Sequence, residues 1–341
     1  MATLEVTDLS TSFRTDDGIV KAVSGVSFSL DAGQTLGVVG ESGSGKSVTV
    51  LTVMGLVDPR SAQVGGSVLL DGEQMLGLDK DRMRQIRGAR IGMIFQDPMT
   101  SLNPVKTIGW QLEEAVLIHQ DVTRKEARRQ AIEILKEVEI PRAEARVEQY
   151  PHQFSGGMRQ RVMIAMALIN NPEILIADEP TTALDVTTQA QILRLMNRLQ
   201  EEHKMAIVMI THDLGVVAEV ADDVIVMYGG KVVEQANVRD LFSGAEMPYT
   251  WGLLGSLPRL NSAGGRLEQI PGQPPSLLRP PSGCPFHPRC EYVMNACRTD
   301  LPELRVSQHG EEHFFRCHLD DETRSRVWTA KRAAMLSEDA A

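Results

Sequence analysis

Along the first two-thirds of the chain, short unbroken apolar runs alternate with longer stretches in which apolar residues recur at helical spacing. The run QTLGVVG (Gln34–Gly40) is apolar through its middle and ends in glycine, the pattern of a strand buried on both faces. A helix is expected to follow from Lys46 to about Leu56, stopped ahead of Pro59. GSVLLDGEQM reads as a strand closed by an Asp71-Gly72 turn, and IGMIFQ as another strand. From about Thr107 to Pro151 the pattern is helical only. Thr123 and Glu126 form a T-x-x-E capping box, and RKEARRQAIEILKEVEI carries its apolar residues on one face behind it. Strands and helices alternate again through EILIAD, TTQAQILRLMNRLQEEH, AIVMIT and DVIVMYGGKVV. A helical insert inside such an alternation predicts an α/β protein with a mostly parallel sheet and a helical subdomain, at about residues 97–170. After Ala236 proline and glycine become dense (IPGQPPSLLRPPSGCP), which predicts a linker and a small appended domain over residues 237–341, following a main domain over 1–236.

Composition narrows the possible partners. The 341 residues carry a formal net charge of -10, which weighs against nucleic acid, whose backbone is bound by clustered Lys and Arg. The opening MATLEVTDLS lacks the basic and apolar regions of a signal peptide. No apolar run reaches the ~18–20 residues of a membrane span, so a cytosolic protein is expected, with any membrane role carried by a partner. The four cysteines all lie between Cys284 and Cys317; in a reducing cytosol they are not expected to form stable disulfides.

The chemistry is carried by GESGSGKS, which spans Gly40, Glu41, Ser42, Gly43, Ser44, Gly45, Lys46 and Ser47 and fits G-x-x-x-x-G-K-[ST] between a strand and a helix. In that setting backbone N–H groups at a helix N-terminus point at phosphate oxygens, and glycines let the backbone come close. Lys46 is expected on the β- and γ-phosphates of ATP and Ser47 on Mg²⁺. The apolar strand EILIAD ends in Asp178 and Glu179. Asp178 is expected to hold Mg²⁺ through water, and Glu179 to activate the attacking water. Together these are the parts of a P-loop NTPase.

The stretch QFSGGMRQRVMIAMALINNPEILIADEPTTALD resembles the ATP-binding cassette (ABC) family. Its signature stands here as Phe154-Ser155-Gly156-Gly157-Met158, departing from the usual L-S-G-G-Q at both ends. The resemblance implies a parallel sheet core with an antiparallel β subdomain and a helical subdomain. It also implies that Ser155, Gly156 and Gly157 reach the nucleotide of a second subunit. Gln96 resembles the glutamine that senses Mg²⁺, and Asp185 the residue that couples the two sites. His212 resembles the histidine on the γ-phosphate, and Phe13 the aromatic that stacks on adenine. Val48 stands where many cassettes have threonine.

The tail resembles the C-terminal extension of oligopeptide and dipeptide importer ATPases, a subfamily shared with nickel and glutathione importers. That implies a homologous second ATPase subunit in a heterodimer or homodimer. It also implies two transmembrane permease subunits, an extracytoplasmic substrate-binding protein, and a place on the cytoplasmic face of the membrane. A cassette protein of translation would usually carry two cassettes in one chain, and a DNA-repair ATPase a long coiled coil between loop and signature; this chain has neither. Cys284, Cys290, Cys297 and Cys317 have the spacing C-x5-C-x6-C-x19-C, without the tight knuckles of zinc sites. Loosely spaced thiolates suit a [4Fe–4S] cluster, and some members of the resembling subfamily hold one. Zinc, with His287 and His318 as spare ligands, and four reduced cysteines in a small core are the alternatives.

Overall fold

The computed structural model describes residues 3–97, 101–182, 184–257, 269–308 and 310–337. Residues 98–100 of the expected helical subdomain, Ala183, and residues 258–268 of the expected linker lie outside the described residues. The strands in chain order are β1 (Leu4–Thr15), β2 (Gly18–Leu30), β3 (Thr35–Val39), β4 (Ala62–Leu70), β5 (Glu73–Gln74), β6 (Ile91–Ile94), β7 (Ile174–Asp178), β8 (Ala206–Thr211), β9 (Asp223–Tyr228), β10 (Lys231–Asn237), β11 (Arg305–Ser307) and β12 (Gly310–Phe315). The chain forms two compact units, one of Met1–Leu4, Ser29–Thr35 and Leu69–Ile210, the other of Glu5–Phe28, Leu36–Val68 and Thr211–Ala341.

In the first unit β6, β7 and β8 pair in parallel, with Met93 opposite Ile176 and Ile176 opposite Val208. Every residue of β7 and β8 is buried, which is why both read as solid apolar runs rather than alternating ones. The helices Ile108–His119, Arg124–Glu137, Ala143–Arg146 and Gly156–Leu168 fill the stretch read as helical. The Thr123 hydroxyl accepts the Glu126 N–H at 3.2 Å, while the Glu126 carboxylate turns to Arg129. The helix Val186–His203 is capped by Asp185. It buries Ile192, Leu193, Leu195, Met196 and Leu199 at helical spacing and ends at Lys204 in the left-handed region (φ 55°).

In the second unit β3 pairs in parallel with β9, and β9 turns back into antiparallel β10 through Gly229 and Gly230, both at positive φ. β10 pairs with β12, and β12 with β11, both antiparallel. The helix after the phosphate loop runs Lys46–Val53, shorter than expected. Gly55 (φ 59°) ends it ahead of Pro59, with the Leu56 N–H closing back on the Leu51 carbonyl. Beyond Ala236 the chain returns to this unit's core. Tyr249, Trp251, Phe286, Cys284, Cys297 and Trp328 are buried in one cluster with Val226, Tyr228 and Val233 of β9 and β10. The compositional break at Ala236 thus lies within a shared apolar core, and β12 extends the sheet that β9 and β10 begin.

Candidate nucleotide-binding site

The loop Gly40–Ser47 leaves β3 and enters the helix Lys46–Val53 through left-handed turns that only glycine takes freely. Gly40, Gly43 and Gly45 have φ of 150°, 78° and 103°. A Cβ on Gly40 would collide with the Met227 carbonyl oxygen, and one on Gly45 with that of Ala22; at Gly43 it would meet open space. Gly45 caps the helix without a side-chain bond, so the first-turn N–H groups and the positive end of the helix dipole face the loop. Ser44 is buried, and its hydroxyl has no hydrogen-bond partner among the described residues. Lys46 is only 5 % exposed and donates from Nζ to the carbonyls of Gly40 (2.7 Å) and Glu41 (3.0 Å). The buried Ser44 hydroxyl, the helix N-terminus, a cationic tip and glycine clearance fit a polyphosphate and its Mg²⁺ ion. In the same unit Ser47 and Val48 are half-buried, Ser42 is exposed, Phe13 is half-buried on β1, and His212 is exposed just past β8.

The carboxylates lie in the other unit. Asp178 is buried at the last position of β7. Glu179 follows in the left-handed region at φ 48°, a conformation that strains a residue with a side chain by about 1 kcal/mol. Its N–H donates to the Ile210 carbonyl (2.9 Å). Its carboxylate accepts from Gln96 Nε2 (3.0 Å) and Thr182 Oγ1 (2.9 Å). The structure therefore brings the Gln96 and Glu179 side chains together. Nothing in the linear pattern reported the backbone strain or the Thr182 contact. Ser155 caps the helix Gly156–Leu168, its hydroxyl accepting the Met158 N–H at 3.4 Å. Ser155 and Gly156 are exposed, and Gly157 is half-buried close to Thr188. Asp185 accepts the N–H (2.9 Å) and hydroxyl (2.7 Å) of Thr188, which hold its carboxyl below the usual range.

All four cysteines are free thiols. They belong to one core, Cys284 and Cys297 buried within it and Cys290 and Cys317 packed against it. Burial pushes Cys284 and Cys290 up to about 11 and Cys317 up to about 12, with neighbouring cysteines adding to the effect. Among the described residues no group of three or more His, Cys, Asp or Glu side chains is placed to hold a metal ion. His287 Nδ1 lies 3.0 Å from the Cys284 carbonyl and His318 Nε2 2.9 Å from the Asp300 carbonyl, so both spare ligands face backbone. The expected cluster and its zinc alternative gain no support from the described residues. The four residues are arranged as packed thiols.

Two further residues reach the phosphate loop. Arg289, from the cysteine-bearing tail, forks onto the Glu41 carboxylate, and the Tyr249 hydroxyl accepts the Glu41 N–H at 2.8 Å. Neither was singled out from the linear sequence.

The loop, its helix and the strand-end carboxylates define a P-loop nucleotide-binding protein. Residues 23–182 match the ABC transporter family, and residues 233–297 match the oligopeptide/dipeptide transporter C-terminal region. Over 307 residues the chain is 52% identical to the oligopeptide transport ATP-binding protein OppD of Salmonella typhimurium, covering 90% of this chain and 91% of that one. It is also 52% identical over 320 residues to the dipeptide transport ATP-binding protein DppD of Bacillus subtilis, covering 94% and 95%. Among solved structures, the dimeric post-hydrolysis state of the ATP-binding cassette MJ0796 bound to ADP and Pi superposes with a TM-score of 0.62 at 31% identity, over 69% of this chain and 99% of that one. The chain belongs to the ABC transporter family, among its oligopeptide and dipeptide transport ATP-binding proteins.

Proposed function

We propose that this chain is the ATP-hydrolysing subunit of an importer of peptides, driving two permease subunits from the cytoplasmic face of the membrane. It pairs there with a homologous second ATPase subunit, in a heterodimer or a homodimer, and an external substrate-binding protein delivers the cargo. Support for the peptide cargo comes from relatives named for oligopeptide and dipeptide transport that align over nearly the whole chain. No helix among the described residues is long and apolar enough to cross a membrane, which suits a peripheral subunit. A role in translation or DNA repair gains nothing from these relatives.

Gly40–Ser47 would hold the phosphates, with Lys46 on the β- and γ-phosphates and Phe13 against the adenine. Ser47, Gln96 and, through water, Asp178 would hold Mg²⁺, which neutralises charge developing on the phosphates. Glu179 acts as general base toward water, and His212 contacts the γ-phosphate. Ser155, Gly156, Gly157 and Asp185 serve the nucleotide of the second subunit. The observation that carries the catalytic assignment is the strained Glu179, whose carboxylate is oriented by Gln96 and Thr182. In the assembled complex Glu179→Gln should keep Mg-ATP binding and lose ATP turnover by ~10²–10⁴-fold, the usual share of a general base. Turnover near that of the wild type would remove Glu179 from this role.

For the cysteines, a [4Fe–4S] cluster, or zinc in second place, is supported by the tail's resemblance and by four thiols sharing one core. Iron, zinc and labile-sulfide analysis on protein purified without air decides it. Four titratable thiols with no metal would end the cluster reading and leave the ATPase assignment untouched.

A further inference from the structure

A carboxylate is an unexpected group in a loop built for a polyanion, because it adds negative charge beside the phosphates. Glu41 is that group, the second residue of the loop. Its carboxylate is gripped by both arms of one guanidinium, with Arg289 Nη1 at 2.5 Å and Nη2 at 3.0 Å. The Arg289 side chain is only 4% exposed. Its remaining bonds go to the Pro271 carbonyl (2.8 Å), the Ile270 carbonyl (3.2 Å), the Gly272 carbonyl (3.4 Å) and the Tyr228 hydroxyl (3.3 Å). The guanidinium is thus fixed on every side, with Glu41 as its anionic partner.

The backbone of Glu41 is held as well. Its N–H donates to the buried Tyr249 hydroxyl, and its carbonyl accepts from Lys46 Nζ, the group expected on the phosphates. Arg289 lies 248 residues beyond Glu41, in a short 3-10 turn within the loop from Cys284 to Cys290. Phe286 of that loop packs against Tyr228 and Tyr249 with ring centroids 5.3 Å away in each case. Cysteine loop, aromatic cluster and phosphate loop therefore form one continuous contact.

We propose that Arg289 is a positioning residue for the nucleotide loop: it neutralises and fixes Glu41, so that the conformation of the cysteine loop sets the affinity for ATP. This rests on the reading that Gly40–Ser47 binds ATP. By linkage, a bound nucleotide stabilises the cysteine loop by the same factor. A staple that merely held the tail in place would give a different result. Its loss would lower stability alone, and removing the Glu41 charge would restore nothing at the loop.

The test is titration of the full chain with a fluorescent ATP analogue and Mg²⁺, comparing Arg289→Lys, Arg289→Gln and the double variant Arg289→Gln/Glu41→Gln. Arg289→Lys keeps the charge but cannot form the fork, and should bind about 3–10-fold more weakly. Arg289→Gln leaves Glu41 unneutralised beside the phosphates and should bind about 10–100-fold more weakly. The double variant should recover most of that loss. In the assembled transporter the ATP KM should rise with kcat nearly unchanged, the signature of lost uniform binding. Wild-type affinity in Arg289→Lys, or no recovery in the double variant, overturns the proposal. If Arg289→Gln does not fold, the Arg289→Lys comparison decides alone. A wild-type chain that binds no nucleotide overturns this proposal together with the reading beneath it, and is told apart because the failure precedes any substitution.

Discussion

Glu234 on β10 is fully buried, and its side chain is the point where two separate parts of the tail, Glu246–Met247 and His313, meet the sheet. One carboxylate oxygen accepts the Glu246 N–H at 2.6 Å, and the other accepts the Met247 N–H at 3.1 Å. His313 Nε2 on β12 lies 2.8 Å from the first of these. Glu234→Ala removes all three acceptor contacts at once. Each buried donor left without a partner costs about 1–3 kcal/mol, and the vacated space admits water that returns part of that. The net loss should be about 3–5 kcal/mol. Glu234→Gln keeps one carbonyl oxygen but sets an NH₂ against an N–H, and should lose about 1–2 kcal/mol. Since a kilocalorie moves the midpoint of a unit this size by about 2–4 °C, the alanine variant should melt roughly 6–20 °C lower. Thermal and urea unfolding followed by circular dichroism measure both. A loss below about 1 kcal/mol for Glu234→Ala, or equal losses for the two variants, would refute the view that this carboxylate fastens the tail to the sheet.

The remaining predictions concern the phosphate loop, one helix cap and one half-buried acid. Gly40→Ala should abolish binding of an ATP analogue and destabilise the chain, because its Cβ collides with a backbone carbonyl; Gly43→Ala, strained but unobstructed, should lose only about 1 kcal/mol by thermal melting. Asp185→Ala should weaken the cap of the helix Val186–His203 by about 1 kcal/mol in urea unfolding, and Asp185→Asn should keep it, so a loss of ATPase activity in Asp185→Asn would separate the proposed coupling role from capping. The Asp223 carboxyl is raised above its usual range by burial, then by Asp222 and Glu312. An acid whose folded pKa is raised favours the folded state below its unfolded pKa and loses that contribution as pH rises through the folded value. Asp223→Asn should therefore be more stable than wild type at pH 7, with the advantage shrinking as pH falls toward the ordinary aspartate value of about 3.9. Equal urea midpoints at pH 7 would sink that account.

What could be read from the linear chain depended on the range of the interactions involved. The phosphate loop was legible because its chemistry is local: Gly40, Gly43 and Gly45 take backbone angles set within eight residues of chain. β7 was legible because burial on both faces demands an unbroken apolar run. The end of the loop helix was placed too late because Pro59 is the louder stop signal, whereas Gly55 reaches the left-handed cap first. Glu179 showed its position but not its strain, since φ at a strand end depends on the contact with Ile210 on β8.

The tail was the least legible part. GEEHFF (Gly310–Phe315) is polar at one end and lies beyond a Pro-rich stretch. Its strand character comes from pairing with β10, a contact to residues some eighty positions earlier. The cysteine spacing invited a ligand set, yet spacing does not report where the thiols lie, and in the fold they share one apolar core. Arg289 was invisible for the same reason. An arginine among prolines and cysteines has no local signature, and its partner lies 248 residues away. Chain that reads as an appendage by composition instead supplies both the guanidinium and the hydroxyl that fix Glu41. The Arg289 charge is buried, and a buried charge persists only when paired, so the cation carried by the tail has its partner in the phosphate loop.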